Sequence, residues 1–254
     1  MAKQLVILSG PACVGKGPLA DAIKHFHSEI KYVTVPVIKS KDSRVGGPRP
    51  DDEPVWNNAD YWRTADEIMK LKSNPRYIVG DCRGFPQAID LDKVVQSATD
   101  LVFVEAYHTL GRQLLASEYL KNVQVKTVFL SPLGAQEIGF LRAGGACLAA
   151  VVKGIMVLKQ VNRATFQGKR IDRALLLDIE TRADDAIDEL RSASDYTFVI
   201  VSHDGEGAPN WKRDRGGTFA AEPEGDAKRA VSSMVDILLG KSPGNVEHWP
   251  HGTV

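Results

Sequence analysis

The sequence lacks an excess of either charge and lacks any long apolar run. Its 254 residues include 32 basic and 32 acidic side chains, so no global field attracts the chain to nucleic acid or to an anionic membrane. The longest apolar stretch, Ala146–Val152, ends at Lys153 and is far shorter than the roughly 20 residues of a membrane-spanning helix. The N-terminal residues show no secretory cleavage pattern, which predicts a cytoplasmic protein without membrane partners.

Cysteine is scarce, and repeats and low-complexity tracts are absent. Cys13, Cys82 and Cys147 lie far apart, and none belongs to a Cys-x-x-Cys motif or stands at ligand spacing from a histidine. This distribution predicts reduced thiols and argues against a disulfide scaffold or a structural zinc site. The composition, 43% hydrophobic and 25% charged, is typical of an ordinary globular protein.

Short apolar segments alternate with segments of helical periodicity along most of the chain. The predicted strands cover residues 5–8, 32–38, 77–79, 101–104, 125–130 and 196–201, and the predicted helices cover residues 21–29, 59–72, 91–97, 110–120 and 174–191. Apolar strands that alternate with helices favour a parallel sheet covered on both faces. We therefore expect an α/β fold, a three-layer α/β/α sandwich.

Three long segments interrupt this alternation, at residues 39–58, 134–173 and 203–225. Loops of this length inside a compact domain usually bind ligands or move. The last residues, 242–254, are predicted to form a loosely held tail.

Residues 10–17 match the phosphate-loop motif Gly-x-x-x-x-Gly-Lys, directly after the first predicted strand and before a helix. Backbone N–H groups of such a loop converge on phosphate oxygens, and the helix N-terminus adds positive potential. Lys16 is expected to contact the β- and γ-phosphates of ATP. The predicted ATP-binding residues are Gly10, Pro11, Ala12, Cys13, Val14, Gly15, Lys16 and Gly17.

Residue 17 departs from the motif, which has Ser or Thr after the lysine as a ligand of Mg²⁺. Gly17 carries no hydroxyl group, and Pro18 follows it. We expect Mg²⁺ to be held by water, the nucleotide and a carboxylate, and we predict no metal site made of protein ligands alone.

With these residues the sequence resembles the guanylate kinase branch of the P-loop nucleoside monophosphate kinases. Only the phosphate loop is a specific match, and the looser resemblance runs over residues 3–240. The segments that carry it are Val6–Lys16, Gly47–Glu53, Val102–Ala106, Leu110–Gln113, Phe129–Pro132 and Asp195–Val201.

The resemblance implies a single P-loop kinase domain that transfers the γ-phosphate of ATP to a small acceptor such as a nucleoside monophosphate. It implies a core at residues 1–38, 74–133 and 174–240, an acceptor-binding insert at 39–73, a lid at 134–173 and a tail at 241–254. Arg44 and Arg49 match the arginines that hold the acceptor phosphate. Candidates for the catalytic positive charge in the lid are Arg163, Lys169, Arg170 and Arg173, and of these Arg163 and Arg170 are predicted to be catalytic.

Three further residues follow or end predicted strands, where ligands bind in open α/β sheets. Asp81 and Arg83 are expected to bind the acceptor, although an ion pair within a turn is the alternative. Glu105 is expected to orient a magnesium-bound water or to accept a proton from an acceptor hydroxyl.

The acceptor itself stays open, because Arg83-Gly84-Phe85 stands where the family has Tyr-Gly-Thr. A nucleotide, a sugar phosphate and a hydroxylated base in phage DNA are alternatives, although the net charge does not indicate DNA. A non-catalytic binding module, as some guanylate-kinase-like domains have become, is a further alternative. The oligomeric state is not predicted.

Overall fold

The computed structural model describes residues 3–44, 48 and 53–254. Arg49, one of the three predicted acceptor arginines, lies outside the described residues. The strands are β1 (Gln4–Ser9), β2 (Val33–Thr34), β3 (Ile38–Ser40), β4 (Trp62–Arg63), β5 (Tyr77–Cys82), β6 (Phe85–Asp90), β7 (Leu101–Glu105), β8 (Gln124–Ser131) and β9 (Phe198–Val201). The helices are α1 (Lys16–Phe26), α2 (Ala65–Leu71), α3 (Leu91–Val95), α4 (His108–Leu115), α5 (Ala135–Ala143), α6 (Leu148–Phe166), α7 (Arg173–Asp184), α8 (Ala186–Arg191) and α9 (Gly225–Leu238).

The main sheet has five strands in the order β2-β7-β1-β8-β9. The pairs β1–β7, β2–β7 and β8–β9 are parallel. Helices cover both sides of this sheet, so the α/β fold predicted from the alternating pattern is confirmed.

A second sheet, of four strands in the order β4-β3-β6-β5, was not predicted. The expectation that residues 77–79 belong to the parallel sheet is wrong, because β5 pairs antiparallel with β6. The two strands are joined by Arg83 and Gly84, whose φ angles of 57° and 80° suit the tight, left-handed turns of β-hairpins. Asp81 therefore lies inside a hairpin strand, and Arg83 lies in its turn.

The chain divides into two compact units, residues 1–8 with 31–126 and residues 9–30 with 127–254. In the first unit, apolar residues of β1 and β7 pack with α4, as shown by Leu5, Ile7, Val104, Leu110 and Leu114. A smaller cluster under the four-stranded sheet contains Ile38, Ile68 and Ala88. Burial of these side chains removes apolar surface from water and stabilises both sheets.

Residues 134–173 are mostly helical, so reading them as an interruption of the secondary structure is wrong. The 19-residue helix α6 buries Val152, Met156, Lys159 and Gln160. These positions recur at the three- and four-residue spacing of one helix face. Gly139, Gly144, Gly145 and Gly154 obscured this pattern in the sequence. Among the described residues, no helix is both long enough and apolar enough to cross a bilayer.

The C-terminal residues are held in place, so the prediction of a loose tail is wrong. The backbones of Glu247 and Val199 exchange two hydrogen bonds of 2.8 and 2.9 Å, which pairs the tail with β9. Trp249 is buried, and its indole N–H donates to the Glu247 carboxylate at 2.5 Å. A buried tryptophan supplies enough apolar area to fix a segment that otherwise reads as polar.

Candidate functional site

The phosphate loop joins β1 directly to α1, and its backbone has an unusual conformation. The φ angles are 142° at Gly10, 66° at Cys13 and 117° at Gly15. A Cβ atom at Gly10 would lie 2.3 Å from the carbonyl oxygen of Leu130, so only glycine fits there. The motif therefore has the strand-loop-helix context that phosphate binding requires.

Lys16 begins α1 and is buried, with 8% of its surface exposed. Its Nζ donates hydrogen bonds to the carbonyl oxygens of Gly10 at 2.6 Å and Pro11 at 2.9 Å. The ammonium group thus lies inside the curve of the loop and holds the loop in shape. A phosphate bound by this loop would meet that charge, and the helix N-terminus would add to it.

The loop between β9 and α9, residues 202–211, contacts the phosphate loop. The Ser202 hydroxyl donates to the Val14 carbonyl at 3.3 Å, and the Glu206 N–H donates to the Cys13 carbonyl at 3.2 Å. Trp211 is buried beside Gly15, where a Cβ atom would approach its ring to 3.1 Å. We name residues 202–211 the covering loop.

Asp204 fixes the covering loop to α9. Its carboxylate accepts hydrogen bonds from the Asn210 amide at 3.1 Å and from the Ala227 backbone N–H at 2.9 Å. The second bond satisfies a donor in the first turn of α9, where negative charge is also favourable. Asp204 therefore has a structural role that couples the covering loop to a helix.

Arg163 is brought to the phosphate loop by α6. Its Nη1 lies 3.3 Å from the Cys13 Sγ, and its Nε lies 2.8 Å from a carboxylate oxygen of Glu206. Burial, and next the Glu206 charge, raise the pKa of the Cys13 thiol against the opposing effect of Arg163. Cys13 is therefore a neutral packing residue at physiological pH rather than a nucleophile.

The other lid candidates lie where α6 gives way to α7. Lys169, Arg170 and Arg173 are exposed there. Within the described residues no contact joins Arg170 to the phosphate loop. Of the two predicted catalytic arginines, Arg163 is therefore the one that contacts the phosphate loop.

The predicted acceptor residues in the described part of the chain lie in the first unit. The Arg44 guanidinium lies 4.9 Å from the ring centroid of Trp62, and the Arg83 guanidinium lies 5.2 Å from that of Tyr107. A carboxylate oxygen of Asp81 accepts the Gly84 N–H at 2.9 Å. Because Asp81 and Arg83 belong to a hairpin, their assignment no longer has support from the ends of parallel strands.

Glu105 is the last residue of β7, as predicted, and its side chain is exposed. It is paired in parallel register with Leu8 of β1. The carboxyl ends of adjacent parallel strands lie at one edge of the sheet, where ligands bind in open α/β sheets. The position of Glu105 at the end of β7 therefore supports its prediction as a site residue.

The sequence analysis missed Lys159, Ser202, Asp204, Glu206 and Trp211 of this site. A usable signal existed, because Asp204-Gly205-Glu206-Gly207 follows the last apolar strand of the parallel sheet. Polar and glycine residues at that position meet the same strand-end rule that was applied to Glu105.

Lys159 is a buried lysine that supports the covering loop. Its Nζ donates to the carbonyl oxygens of Ser202 at 3.0 Å and His203 at 2.5 Å. Burial lowers the pKa of Lys159 to about 8, against the opposing charge of Asp204. A neutral amine keeps two N–H groups and can retain both hydrogen bonds.

We expect the stability of the protein to gain a contribution from Lys159 as pH rises from 8 to 10.5. In this window the folded chain has released the proton and the unfolded chain still binds it, so the free energy of unfolding increases with pH. The full gain corresponds to about 3 kcal/mol. Urea denaturation at several pH values should show this rise in the wild type and not in Lys159→Met. Lys24→Met, at an exposed position of α1, is the matched control, and an equal pH dependence in all three proteins would contradict the assignment.

Comparison with known proteins finds similarity to solved structures but none to family models or curated sequences. No protein-family model matches the chain, and no curated protein sequence matches it. Among solved structures, the crystal structure of guanylate kinase from Anaplasma phagocytophilum has a TM-score of 0.43 and 15% identity, covering 79% of this chain and 77% of that one. The chain is similar to a guanylate kinase.

Proposed function

We propose that the chain is an ATP-dependent phosphotransferase that passes the γ-phosphate of ATP to a nucleoside monophosphate-like acceptor. The observation that carries this proposal is the buried Lys16, whose ammonium lies inside a left-handed loop at the N-terminus of α1. A lysine in this place provides mobile positive charge for a transferring phosphoryl group.

ATP fits the residues present at the phosphate loop. At Gly10 the loop packs against the Leu130 carbonyl of the neighbouring strand β8, which leaves no room for a side chain. A glycine backbone can curve around a phosphate group. Lys16 and Arg163 would offset negative charge on the phosphoryl oxygens during transfer. Glu105 would accept the proton of a hydroxyl acceptor, a role that an acceptor with an ionised phosphate does not need.

The described residues provide no complete set of protein ligands for Mg²⁺. Gly17 lacks the hydroxyl ligand, and within residues 3–44, 48 and 53–254 no group of three or more His, Cys, Asp or Glu side chains is arranged to hold a metal. Mg²⁺ commonly binds through nucleotide phosphates, water and one or two carboxylates. A Mg²⁺ ion would therefore arrive with the nucleotide rather than be held by protein ligands alone.

The proposed function is tested by incubating the protein with labelled ATP, magnesium and separate pools of nucleotides, sugar phosphates and modified DNA. Label in a nucleoside monophosphate supports the proposal. Label in a sugar phosphate or a hydroxylated base selects the alternative kinase. The chain has the Arg83-Gly84 turn in place of the family's Tyr-Gly-Thr segment. This difference supports a kinase that acts on a sugar phosphate or a hydroxylated base as the alternative. ATP binding without labelling of any pool would indicate a binding module.

For a hydroxyl acceptor, the alternative to a nucleoside monophosphate, we expect Glu105→Gln to lower phosphotransfer by about 10²-fold or more, since the amide cannot accept a proton. ATP affinity should stay within about twofold, because the loop that holds ATP is unchanged. Steady-state kinetics and calorimetry on the same preparations measure both quantities. Glu118→Gln, an exposed change in the same unit, is the control. Unchanged turnover in Glu105→Gln would remove Glu105 from the site, and Arg44→Ala and Arg49→Ala would then test the remaining acceptor residues.

A further inference from the structure

Glu206 contacts both the phosphate loop and Arg163. Its backbone N–H donates to the Cys13 carbonyl at 3.2 Å, and its carboxylate lies 2.8 Å from the Nε of Arg163. Arg163 in turn reaches the Sγ of the same Cys13 at 3.3 Å. One acidic residue therefore connects the middle of the phosphate loop with an arginine of α6.

The two glycines beside Glu206 permit this close approach. A Cβ atom at Gly205 would lie 3.1 Å from the Cys13 carbonyl oxygen, and one at Gly207 would lie 2.9 Å from the Arg163 Cα. Both contacts are with backbone atoms, which cannot move aside as a flexible side chain would. The segment Gly205-Glu206-Gly207 is thus shaped to place the Glu206 carboxylate against α6.

An arginine side chain has many rotamers, and an exposed one does not stay in one orientation without a partner. The carboxylate of Glu206 forms an ion pair with Arg163 at 2.8 Å from its Nε, and this charge contact keeps the guanidinium near the phosphate loop. Electrostatic stabilisation of a transferring phosphate is most effective when the donors are already in place.

We propose that Glu206 is a positioning residue, which holds the Arg163 guanidinium beside Cys13 so that it contacts the terminal phosphate of bound ATP. This inference rests on the proposed function, because it requires that ATP binds the phosphate loop. It assigns to the covering loop a role in distinguishing ATP from ADP.

The test compares ATP and ADP affinity by calorimetry in the wild type, Glu206→Gln and Arg163→Lys. Glutamine keeps the shape of residue 206 and removes its charge, and lysine keeps the charge of residue 163 and removes Nε. Each change should weaken ATP binding about tenfold, as expected for one charge-assisted contact, and leave ADP binding within about twofold. The double variant should lose no more ATP affinity than Arg163→Lys alone, since the two residues act as one unit. Glu222→Gln, at an exposed acidic residue between the covering loop and α9, is the control.

An equal loss of ATP and ADP affinity, together with a lower melting temperature, would show that Glu206 only supports the loop and would overturn the proposal. Tighter ATP binding by Glu206→Gln would also overturn it, since the carboxylate would then repel the nucleotide. Additive losses in the double variant would contradict the coupling of the two residues. Failure of the wild-type protein to bind either nucleotide would refute the proposed function itself. Normal ATP binding by Glu206→Gln would instead refute only the positioning role of Glu206.

Discussion

Lys16→Ala should weaken ATP binding by about 10²-fold and lower phosphotransfer by about 10²- to 10³-fold, as expected when a preorganised charge is removed from a transferring phosphate. The physical reason is the position of its Nζ, which lies 2.6 Å from the Gly10 carbonyl inside the curve of the loop. Backbone N–H groups supply the geometry for phosphate binding, but Lys16 supplies a full charge that follows the phosphate during transfer. Calorimetry with ATP and kinetics with the labelled acceptor measure the two effects.

The Lys16 variant also loses two hydrogen bonds that close the loop, so its folding must be measured separately. Lys24→Ala removes an exposed lysine from the same helix and should change neither ATP affinity nor turnover. Circular dichroism and thermal melting show whether the Lys16 variant keeps the native fold. A folded Lys16→Ala protein with wild-type ATP affinity would contradict the assignment of the phosphate loop, and with it the proposed function.

The main sheet and the phosphate loop could be predicted because they depend on local sequence. β1 and β7 contain continuous apolar runs and β8 has one near its end, residues 128–130, and continuous runs are typical of buried parallel strands. The four-stranded sheet could not be predicted in this way. β5 and β6 contain Gly80, Asp81 and Pro86, which weaken strand propensity, and the hairpin turn Arg83-Gly84 is not among the common turn dipeptides.

The missed parts of the candidate site have a different cause. Glu206 and Lys159 are separated from the phosphate loop by more than a hundred residues, and their contacts with Cys13 and Ser202 arise only when the chain folds. A buried lysine bound to two carbonyl groups also contradicts the usual expectation that lysine is exposed. Arg163 was selected because a lid arginine fits phosphoryl transfer, yet sequence alone could not separate it from Arg170 and Arg173.

Gly10→Ala should be the most destabilising single change in the phosphate loop. The φ angle of 142° is one that residues with a side chain rarely adopt, and the new methyl group would lie 2.3 Å from the Leu130 carbonyl oxygen. Neither the strand backbone nor the loop can move without disturbing β8 or the hydrogen bond from Lys16 to Gly10. We expect a loss of about 3 to 5 kcal/mol in the free energy of unfolding, within the range that strain and steric overlap together produce.

Gly154→Ala is the matched control for this prediction. Gly154 lies on α6, and a Cβ atom there would meet nothing within 4 Å. Alanine at that position should raise the free energy of unfolding by about 0.5 to 1 kcal/mol, because it favours the helix over the unfolded chain. Urea denaturation of the two variants should therefore give opposite shifts from one and the same substitution. If Gly10→Ala unfolded at the wild-type urea concentration and still bound ATP, the close approach of the loop to β8 would be wrong, and the phosphate loop would need another conformation.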